Sequence, residues 1–432
     1  MKVLLLSTSL LGGAGGATYR LHQGLSSIGV ASQVLVQTQD VDDPGLIVTP
    51  KPPVRKLLDT VGSLTRLGNP DTFPLRFYPN RDALFFPQCS PDFVGSKVAE
   101  LNPDVINLHW VCGSYVQIER LPKFKRPIVW TLHDMWPFTG GCVHSEGCHR
   151  YMHSCGHCPR LHSGKEWDLS RWVWRRKAKA WRNLDLTIVT PSVWLAKCAK
   201  SSSLFKDLRI EVIPNGIDTT RYKPLDRQYA RNILDLPQDK HIVLFGGWRP
   251  NHRWKGFSLL ADALQRLGKS GWQDRMELVV FGLEKPDHLA DLGIKSHFLG
   301  KLNDTISMAV VYSSADIFVA PSVQDNLPTT IIEAIACGTP CVAFRIGGIP
   351  DIITHGQNGY LAQPYESDDL AHGIAWMLED SDRRQRLSQH ARARAEQEFT
   401  LERYTQRYLT LFKDVVTTKH KASVRIQCST RG

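Results

Sequence analysis

The 432-residue sequence predicts an α/β fold of two doubly wound parallel-sheet domains that face each other across a cleft. Two series of short apolar runs carry this prediction, because buried parallel strands are short and mostly apolar. Residues 219–238 separate the two series, since this stretch contains two prolines and no strand-like run. A linker with a short helix is expected there.

The first series opens with the strand-like run 3–6, a Gly-rich turn and a helix near 18–27. Its further strands are expected at 33–37, 105–108, 128–132, 186–190 and 210–213. The strands of the second series are expected at 241–245, 277–281, 297–299, 317–320 and 341–344. The predicted domains are therefore 1–218 and 219–400. A charged helix over 401–416 is expected to pack back on the first domain, and a basic, frayed tail follows over 417–432.

Composition limits the class of protein. Hydrophobic residues make up 42% and charged residues 22%, and no apolar run reaches the length of a membrane span. Ser7, Thr8 and Ser9 break the opening apolar segment, which favours a buried strand over a targeting signal. A net charge of +11 favours an anionic partner: a phosphorylated substrate, an acidic membrane surface or nucleic acid. Ten cysteines without a signal peptide indicate a reducing, cytoplasmic compartment.

The segment 315–353 carries the most informative pattern. An apolar run (ADIFVA) is followed by the loop 321–328, a helix that begins near Thr330, and another strand. This order places Asp325 and Glu333 at the carboxyl edge of a parallel sheet, where open α/β folds bind ligands. Acidic side chains can hold hydroxyls, and a helix N-terminus can hold a diphosphate. The alternative is local: Glu333 caps its own helix in a capping box, and Asp325 is a solvated loop acid.

The glycine run GGAGGAT (12–18) follows the first strand. It departs from the dinucleotide fingerprint, because Thr18 stands where that fingerprint has Gly or Ala. The second strand also ends at Gln37, where a nicotinamide cofactor would need an acid for its ribose. The glycines instead suit close approach of the backbone to another anionic ligand.

A cysteine cluster occupies residues 141–159. Its thiols are Cys142, Cys148, Cys155 and Cys158, with histidines between them. The closing Cys-x2-Cys spacing is typical of zinc ligands, whereas the first pair is spaced more widely than in zinc fingers. Structural Zn²⁺ is one interpretation, and free thiols or disulfides are the alternatives. A catalytic metal is not expected, because four thiolates would close the coordination sphere.

With these segments in place, the chain resembles the retaining glycosyltransferases of family 4, which have the GT-B fold of two Rossmann-like domains. The resemblance covers nearly the whole chain and rests on seven motifs in order. They are GGAGGAT (12–18), TLHD (131–134), IVTPS (188–192), VIPNGID (212–218), the Lys-Gly of RWKGFSLL (253–260), Asp325-x7-Glu333 and GGIPDII (347–353).

The resemblance implies a role for each matching residue. Glu333 would hold the ribose of the nucleotide, and Asp325, where the family usually has Glu, would contact the donor sugar. Lys255 would neutralise the leaving diphosphate together with Arg249 or Arg253, since these enzymes generally lack a catalytic metal. His133 would lie near the donor sugar and the acceptor. The donor-binding residues would be Gly13, Gly15, Gly16, Arg249, Arg253, Asn326, Leu327, Thr329 and Thr330.

The expected activity is transfer of a hexose, with retention at the anomeric carbon, from a nucleotide sugar to a glycan or lipid-linked saccharide in polysaccharide biosynthesis. Front-face attack is expected, in which the departing phosphate oxygen takes the acceptor proton. A sugar-nucleotide epimerase on the same scaffold is one alternative, and a zinc-containing nucleic-acid-binding protein is another. The segment RWVWRRKAKAWR (171–182), with six basic residues and three Trp, is either a solvated helix face or a contact with an anionic membrane.

Overall fold

The computed structural model describes residues 1–38, 41–49, 70–81, 84–92, 94–247, 250, 252–283, 292–302 and 304–429, with side chains as far as Thr418. Its strands are β1 Lys2–Ser7, β2 Ala31–Val36, β3 Leu46–Val48, β4 Val105–Leu108, β5 Ile128–Thr131, β6 Leu186–Thr190, β7 Arg209–Val212, β8 His241–Gly246, β9 Met276–Phe281, β10 Ser296–Phe298, β11 Ile317–Ala320, β12 Cys341–Phe344 and β13 Gly359–Ala362.

The α-helices of the described residues are α1 Gly12–Ser27, α2 Val94–Leu101, α3 Leu169–Trp181, α4 Val193–Ser201, α5 Arg227–Ile233, α6 Phe257–Leu267, α7 Thr305–Ser314, α8 Thr329–Ala336, α9 Ile349–Ile352, α10 Ser367–Glu379, α11 Ser381–Glu398 and α12 Leu401–Ser429. Short 3₁₀- or π-helical segments lie at Phe73–Phe77, Ile118–Phe124, Trp136–Phe138, Arg150–Met152, Pro159–Leu161, Arg253–Lys255 and Gly268–Trp272. None of the helices in these described ranges is both long enough and apolar enough to cross a bilayer.

The chain divides into two compact units. The first comprises Met1–Ile213 and Thr405–Gly432, and the second comprises Pro214–Tyr404. The sequence predicted divisions after residues 218 and 400, within five residues of the observed divisions after Ile213 and Tyr404. The expected linker carries the single helix α5, as predicted.

Each unit contains one parallel sheet. The strand order is β3-β2-β1-β4-β5-β6-β7 in the first unit and β10-β9-β8-β11-β12-β13 in the second. The residues of β4, β5, β6, β9, β11, β12 and β13 are buried, as expected where helices cover both faces of a sheet. In each sheet the strand order reverses once, at the β1/β4 pair and at the β8/β11 pair. The predicted α/β class with two doubly wound parallel sheets is confirmed.

The final helix α12 closes the first unit. The hydroxyl of Tyr408 is hydrogen-bonded to that of Thr131 at 2.8 Å, and both side chains are buried. Gly24 of α1 lies so close to α12 that a Cβ there would be 1.9 Å from Thr405 Oγ1. The helix was expected to end at residue 416, which is wrong, because its backbone continues to Ser429 and no Gly or Pro interrupts the sequence there.

Two local expectations are also wrong. The first helix begins at Gly12 rather than near Thr18, because packing against the sheet outweighs the low helix propensity of glycine. A Cβ on Gly15 would lie 2.3 Å from the carbonyl carbon of Leu10, so this glycine allows the close contact. The capping box at Glu333 does not form, since no side chain caps α8 at Pro328.

We expect Tyr408→Phe to lower the free energy of unfolding by about 1–2 kcal/mol, because it removes a buried hydrogen bond and leaves Thr131 with one partner fewer. Urea denaturation followed by circular dichroism measures this. Tyr229→Phe is the control, since Tyr229 is 63% exposed. Equal midpoints for the two variants would show that the Tyr408 hydroxyl does not hold α12.

Candidate functional site

The candidate site in the second unit lies where its strand order reverses. Strands β8 and β11 are neighbours there, and the loops that follow them meet at the carboxyl edge of the sheet. The amide of Val323 donates to the carbonyl of Trp254 at 2.9 Å, which joins the two loops. A reversal of strand order leaves a crevice at this edge, and ligands of open α/β folds bind in it.

Two glycines make the meeting of these loops possible. Gly256 has φ +68°, and a Cβ there would lie 1.8 Å from the carbonyl oxygen of Pro321. Gly347 has φ +52°, and a Cβ there would lie 1.9 Å from the carbonyl oxygen of Asp325. No other residue type fits these positions without moving the backbone. The glycines of the Lys-Gly and Gly-Gly motifs therefore shape the site by allowing close backbone contact.

Lys255 and Asp325 are brought together by this arrangement. Lys255 Nζ donates to Asp325 Oδ2 at 2.7 Å, and the Ser322 hydroxyl donates to the same oxygen at 3.3 Å. The side chains are 32% and 18% exposed, respectively, so both remain in reach of a ligand. A cation and a carboxylate thus stand side by side, seventy residues apart in sequence.

Glu333 lies in α8 and is 8% exposed. Its Oε2 accepts a hydrogen bond from the Tyr312 hydroxyl at 3.0 Å. Burial, with the charge of Glu333, raises the pKa of Tyr312, so the phenol stays protonated and continues to donate. Sequence reasoning missed Tyr312, although a Tyr directly after the apolar run 308–311 is a signal that its hydroxyl has a buried partner.

The remaining predicted donor residues surround the start of α8. Asn326 and Leu327 precede Pro328 in the loop, and Thr329 and Thr330 form the first turn of the helix. A Cβ on Gly247, just after β8, would lie 3.8 Å from Thr330, so the end of β8 adjoins the first turn of α8. Arg253 lies next to Lys255, with its guanidinium 5.4 Å from the ring of Trp254. Arg249 lies outside the described residues.

The glycine run of the first unit lies at the other reversal of strand order, after β1. Its glycines differ in surroundings. Gly15 packs against Leu10, whereas a Cβ on Gly13 would meet nothing within 4 Å. A Cβ on Gly16 would lie 3.4 Å from a guanidinium nitrogen of Arg20. Gly13 therefore leaves space over the N-terminus of α1, and Gly15 serves packing.

His133 is half-buried and ends a chain of hydrogen bonds whose other members, His109 and Asn107, are buried. Its Nε2 lies 2.9 Å from His109 Nδ1, and His109 Nε2 lies 2.9 Å from Asn107 Oδ1. Because an amide oxygen only accepts, His109 donates to Asn107 and accepts from His133. Burial, assisted by the charge of Arg20, lowers the pKa of His133 to about 3. His133 is therefore neutral near neutral pH, with Nδ1 as its acceptor nitrogen.

Asp134, the last residue of the TLHD motif, holds the following turn. It accepts hydrogen bonds from Trp110 Nε1 at 3.0 Å and from the Trp136 amide at 2.8 Å. Burial raises its pKa to about 6. Lys177 Nζ donates to the carbonyls of Thr139, at 3.0 Å, and of Trp136. The prediction that residues 171–182 form one surface-exposed basic face is wrong for Lys177, which is buried because its ammonium binds these carbonyls.

The four cysteines of the cluster line one small cavity together with Tyr151 and Arg160. Burial raises the pKa of Cys158 to about 12 and also raises that of Cys142. No three His, Cys, Asp or Glu side chains among the described residues are arranged to hold a metal ion. Zinc at Cys142, Cys148, Cys155 and Cys158 stays a prediction.

Comparison with known families matches both units. Residues 11–221 match the model of "Glycosyltransferase Family 4", and residues 226–394 match that of "Glycosyl transferases group 1". Among curated proteins, D-inositol 3-phosphate glycosyltransferase of Nocardia farcinica is 34% identical over 198 residues, 43% of this chain and 44% of that protein. N-acetyl-alpha-D-glucosaminyl L-malate synthase of Bacillus anthracis is 30% identical over 237 residues, 50% of this chain and 59% of that protein. The chain spans about half the length of the curated relatives it matches.

Solved structures show the same fold at low sequence identity. Sucrose-phosphate synthase of Thermosynechococcus elongatus has a TM-score of 0.69 and 19% identity, and the match covers 97% of this chain and 100% of that one. HepE of Anabaena, solved in complex with UDP-glucose, has a TM-score of 0.61 and 19% identity, with 96% and 100% covered. The predicted GT-B fold class is confirmed.

We expect His133→Asn to make stability less sensitive to acid. The folded-state pKa of His133 is lowered from 6.5 to about 3, so the unfolded chain binds a proton that the folded chain does not. Its stabilising contribution is therefore present above about pH 6.5 and is lost as pH falls. Between about pH 6.5 and 4.5 the variant should lose roughly 2 kcal/mol less than the parent protein.

Urea midpoints at several pH values measure this difference. His372→Asn is the control, because His372 is exposed. Parallel pH profiles for the parent protein and the His133 variant would contradict a His133 that stays neutral in the folded protein.

The zinc prediction is tested by metal analysis of the purified chain. About one equivalent of zinc is expected, together with alkylation of the four cysteines only after chelation. Cys148→Ser should lower the zinc content, whereas Cys341→Ser, in buried β12, should not. Absence of zinc from protein purified under reducing conditions would leave free thiols as the interpretation.

Proposed function

Because this chain belongs to glycosyltransferase family 4, we propose that it transfers a sugar from a nucleotide-sugar donor to a hydroxyl of a glycan or lipid-linked saccharide. The proposed transfer retains the configuration of the anomeric carbon and serves polysaccharide biosynthesis. One observation carries the proposal: Lys255, Asp325 and the N-terminus of α8 meet at the reversal point of the second sheet. That edge therefore offers a cation, a carboxylate and helix N–H groups to one ligand.

The nucleotide part of the donor is assigned to α8 and its surroundings. The Glu333 carboxylate can accept hydrogen bonds from ribose hydroxyls, and the Tyr312 hydroxyl holds that carboxylate in place. The first turn of α8 presents backbone N–H groups and the positive end of the helix dipole to a diphosphate. Complexes of HepE with UDP and UDP-glucose support a nucleotide sugar as the ligand class.

Lys255 is assigned to the leaving diphosphate. Negative charge develops on the phosphate oxygens as the sugar–oxygen bond breaks, and a fixed cation stabilises that charge. Asp325 holds Lys255 at the crevice edge before the donor arrives. On donor binding, Asp325 would contact a sugar hydroxyl while Lys255 turns to the diphosphate. No catalytic metal is required in this proposal.

The first unit supplies the acceptor side. His133 is neutral, so it contributes a hydrogen-bond acceptor rather than a proton. In the proposed front-face reaction the departing phosphate oxygen takes the proton of the attacking hydroxyl. The protein then acts through positioning and electrostatics, which can supply most of the rate enhancement. Gly13, over which the space is open, is assigned to close approach of the ligand.

We expect one nucleotide among UDP, GDP and ADP to raise the melting temperature without added metal, because a ligand of the folded state stabilises it. Lys255→Ala should reduce this shift and lower kcat by roughly 10²–10³-fold. Glu333→Gln preserves the volume and should weaken nucleotide binding. Lys269→Ala, at an exposed lysine of the same unit, should change neither quantity.

Product analysis separates the proposal from an epimerase. A transferase consumes the sugar nucleotide and modifies an acceptor, whereas an epimerase changes the sugar nucleotide without one. Full activity of the Lys255 variant, or melting shifts unchanged by both substitutions, would place the donor elsewhere.

A further inference from the structure

Helix α3 has two different sides. Its buried side includes Leu169, Val173, Lys177 and Trp181, which are spaced four residues apart and packed in the first unit, and also Ser170. Its opposite side consists of Trp172, Arg175, Lys179 and Arg182, all exposed. These four positions share one helical face, because residues three, seven and ten apart lie on the same side. Trp167, just before the helix, adds to this exposed side and lines the same open groove.

The exposure of two tryptophans is the unusual feature. Trp167 is 61% exposed and Trp172 is 46% exposed. Large aromatic side chains are normally buried or placed where one end is apolar and the other wet. Here guanidinium groups lie over their rings, that of Arg175 at 4.8 Å from Trp167 and that of Arg176 at 4.6 Å from Trp172.

The charge of this side is positive and partly uncompensated. Arg176 is neutralised by Glu119, which accepts two hydrogen bonds at 2.8 and 2.9 Å. No acidic side chain pairs with Arg175, Lys179 or Arg182 in the described part of the chain. Asp185, beyond the end of the helix, is the acid nearest to them in the following sequence. Three cations therefore point to solvent beside two exposed indoles.

We propose that this α3 face, made of Trp167, Trp172, Arg175, Lys179 and Arg182, docks the protein on a bilayer that contains anionic lipids. Basic side chains bind the negative surface of such a bilayer, and indoles prefer the membrane–water interface. The apolar side of α3 is already packed in the core, so the helix does not insert. Contact is shallow and depends on salt. This inference is independent of the proposed donor site.

Nucleic acid also attracts cations, but the observations favour the membrane. Single strands bind by stacking bases on open aromatic faces. The rings of Trp167 and Trp172 are each covered by a guanidinium, so these faces are less open to bases or sugars.

The test is sedimentation of the full chain with vesicles of phosphatidylcholine alone or with about 30% phosphatidylglycerol. Binding is expected only to the anionic vesicles and should fall as salt rises. Arg175→Glu, Lys179→Glu and Arg182→Glu together should weaken the partition coefficient by roughly 100-fold or more. Trp167→Ala with Trp172→Ala keeps the charge and should weaken it several-fold.

The matched control reverses three exposed lysines of the second unit, Lys223, Lys269 and Lys301, with the same change in net charge. It should bind nearly as well as the parent protein, and thermal melts should show all variants folded. If both triple variants lost vesicle binding equally, net charge alone would explain the binding, and the assignment to this face would be overturned. Binding to an oligonucleotide but not to anionic vesicles at equal salt would also overturn it.

Discussion

The reversal of strand order within each sheet is the constraint on which the rest of the molecule depends. Where β8 and β11 lie side by side, their connections leave in opposite directions, and the carboxyl edge between them is left uncovered. Gly256 and Gly347 then let the neighbouring loops touch through their backbones. These backbone contacts bring the two loops together, and Lys255 and Asp325 form their ion pair as a consequence.

Buried polar groups organise the first unit in a comparable way. Asn107, His109 and His133 form one hydrogen-bonded chain at the tips of β4 and β5. Lys177 binds two carbonyls of the turn that follows, 41 and 38 residues earlier in the chain, so helix α3 secures the segment after His133. Such groups tolerate burial only while every partner is present. The same packing that keeps His133 neutral thus leaves its Nδ1 as a hydrogen-bond acceptor, while its Nε2–H donates to His109.

Helix α3 shows how one short segment serves two purposes. More than half of its residues are basic or aromatic, yet Lys177 and Trp181 are buried while Trp172 and Lys179 are exposed. The division follows from a spacing of four residues along the buried side. Neighbouring lysines of α3 therefore have different roles: Lys177 holds a turn in the core, and Lys179 contributes positive charge to the surface.

The sequence by itself determined the α/β class, the two series of strands and the motif residues at the strand ends, because burial of parallel strands and the 3.6-residue helix period leave direct marks on local composition. It could not predict the start of α1 at Gly12, the partner of Glu333 or the inward direction of Lys177. These features depend on contacts that form only in the folded chain. The contact between Gly15 and Leu10 results from close packing, and the hydrogen bond between Tyr312 and Glu333 results from the burial of both side chains. Only the tertiary structure decided them, since the energy of a buried polar group depends on partners that no local pattern specifies.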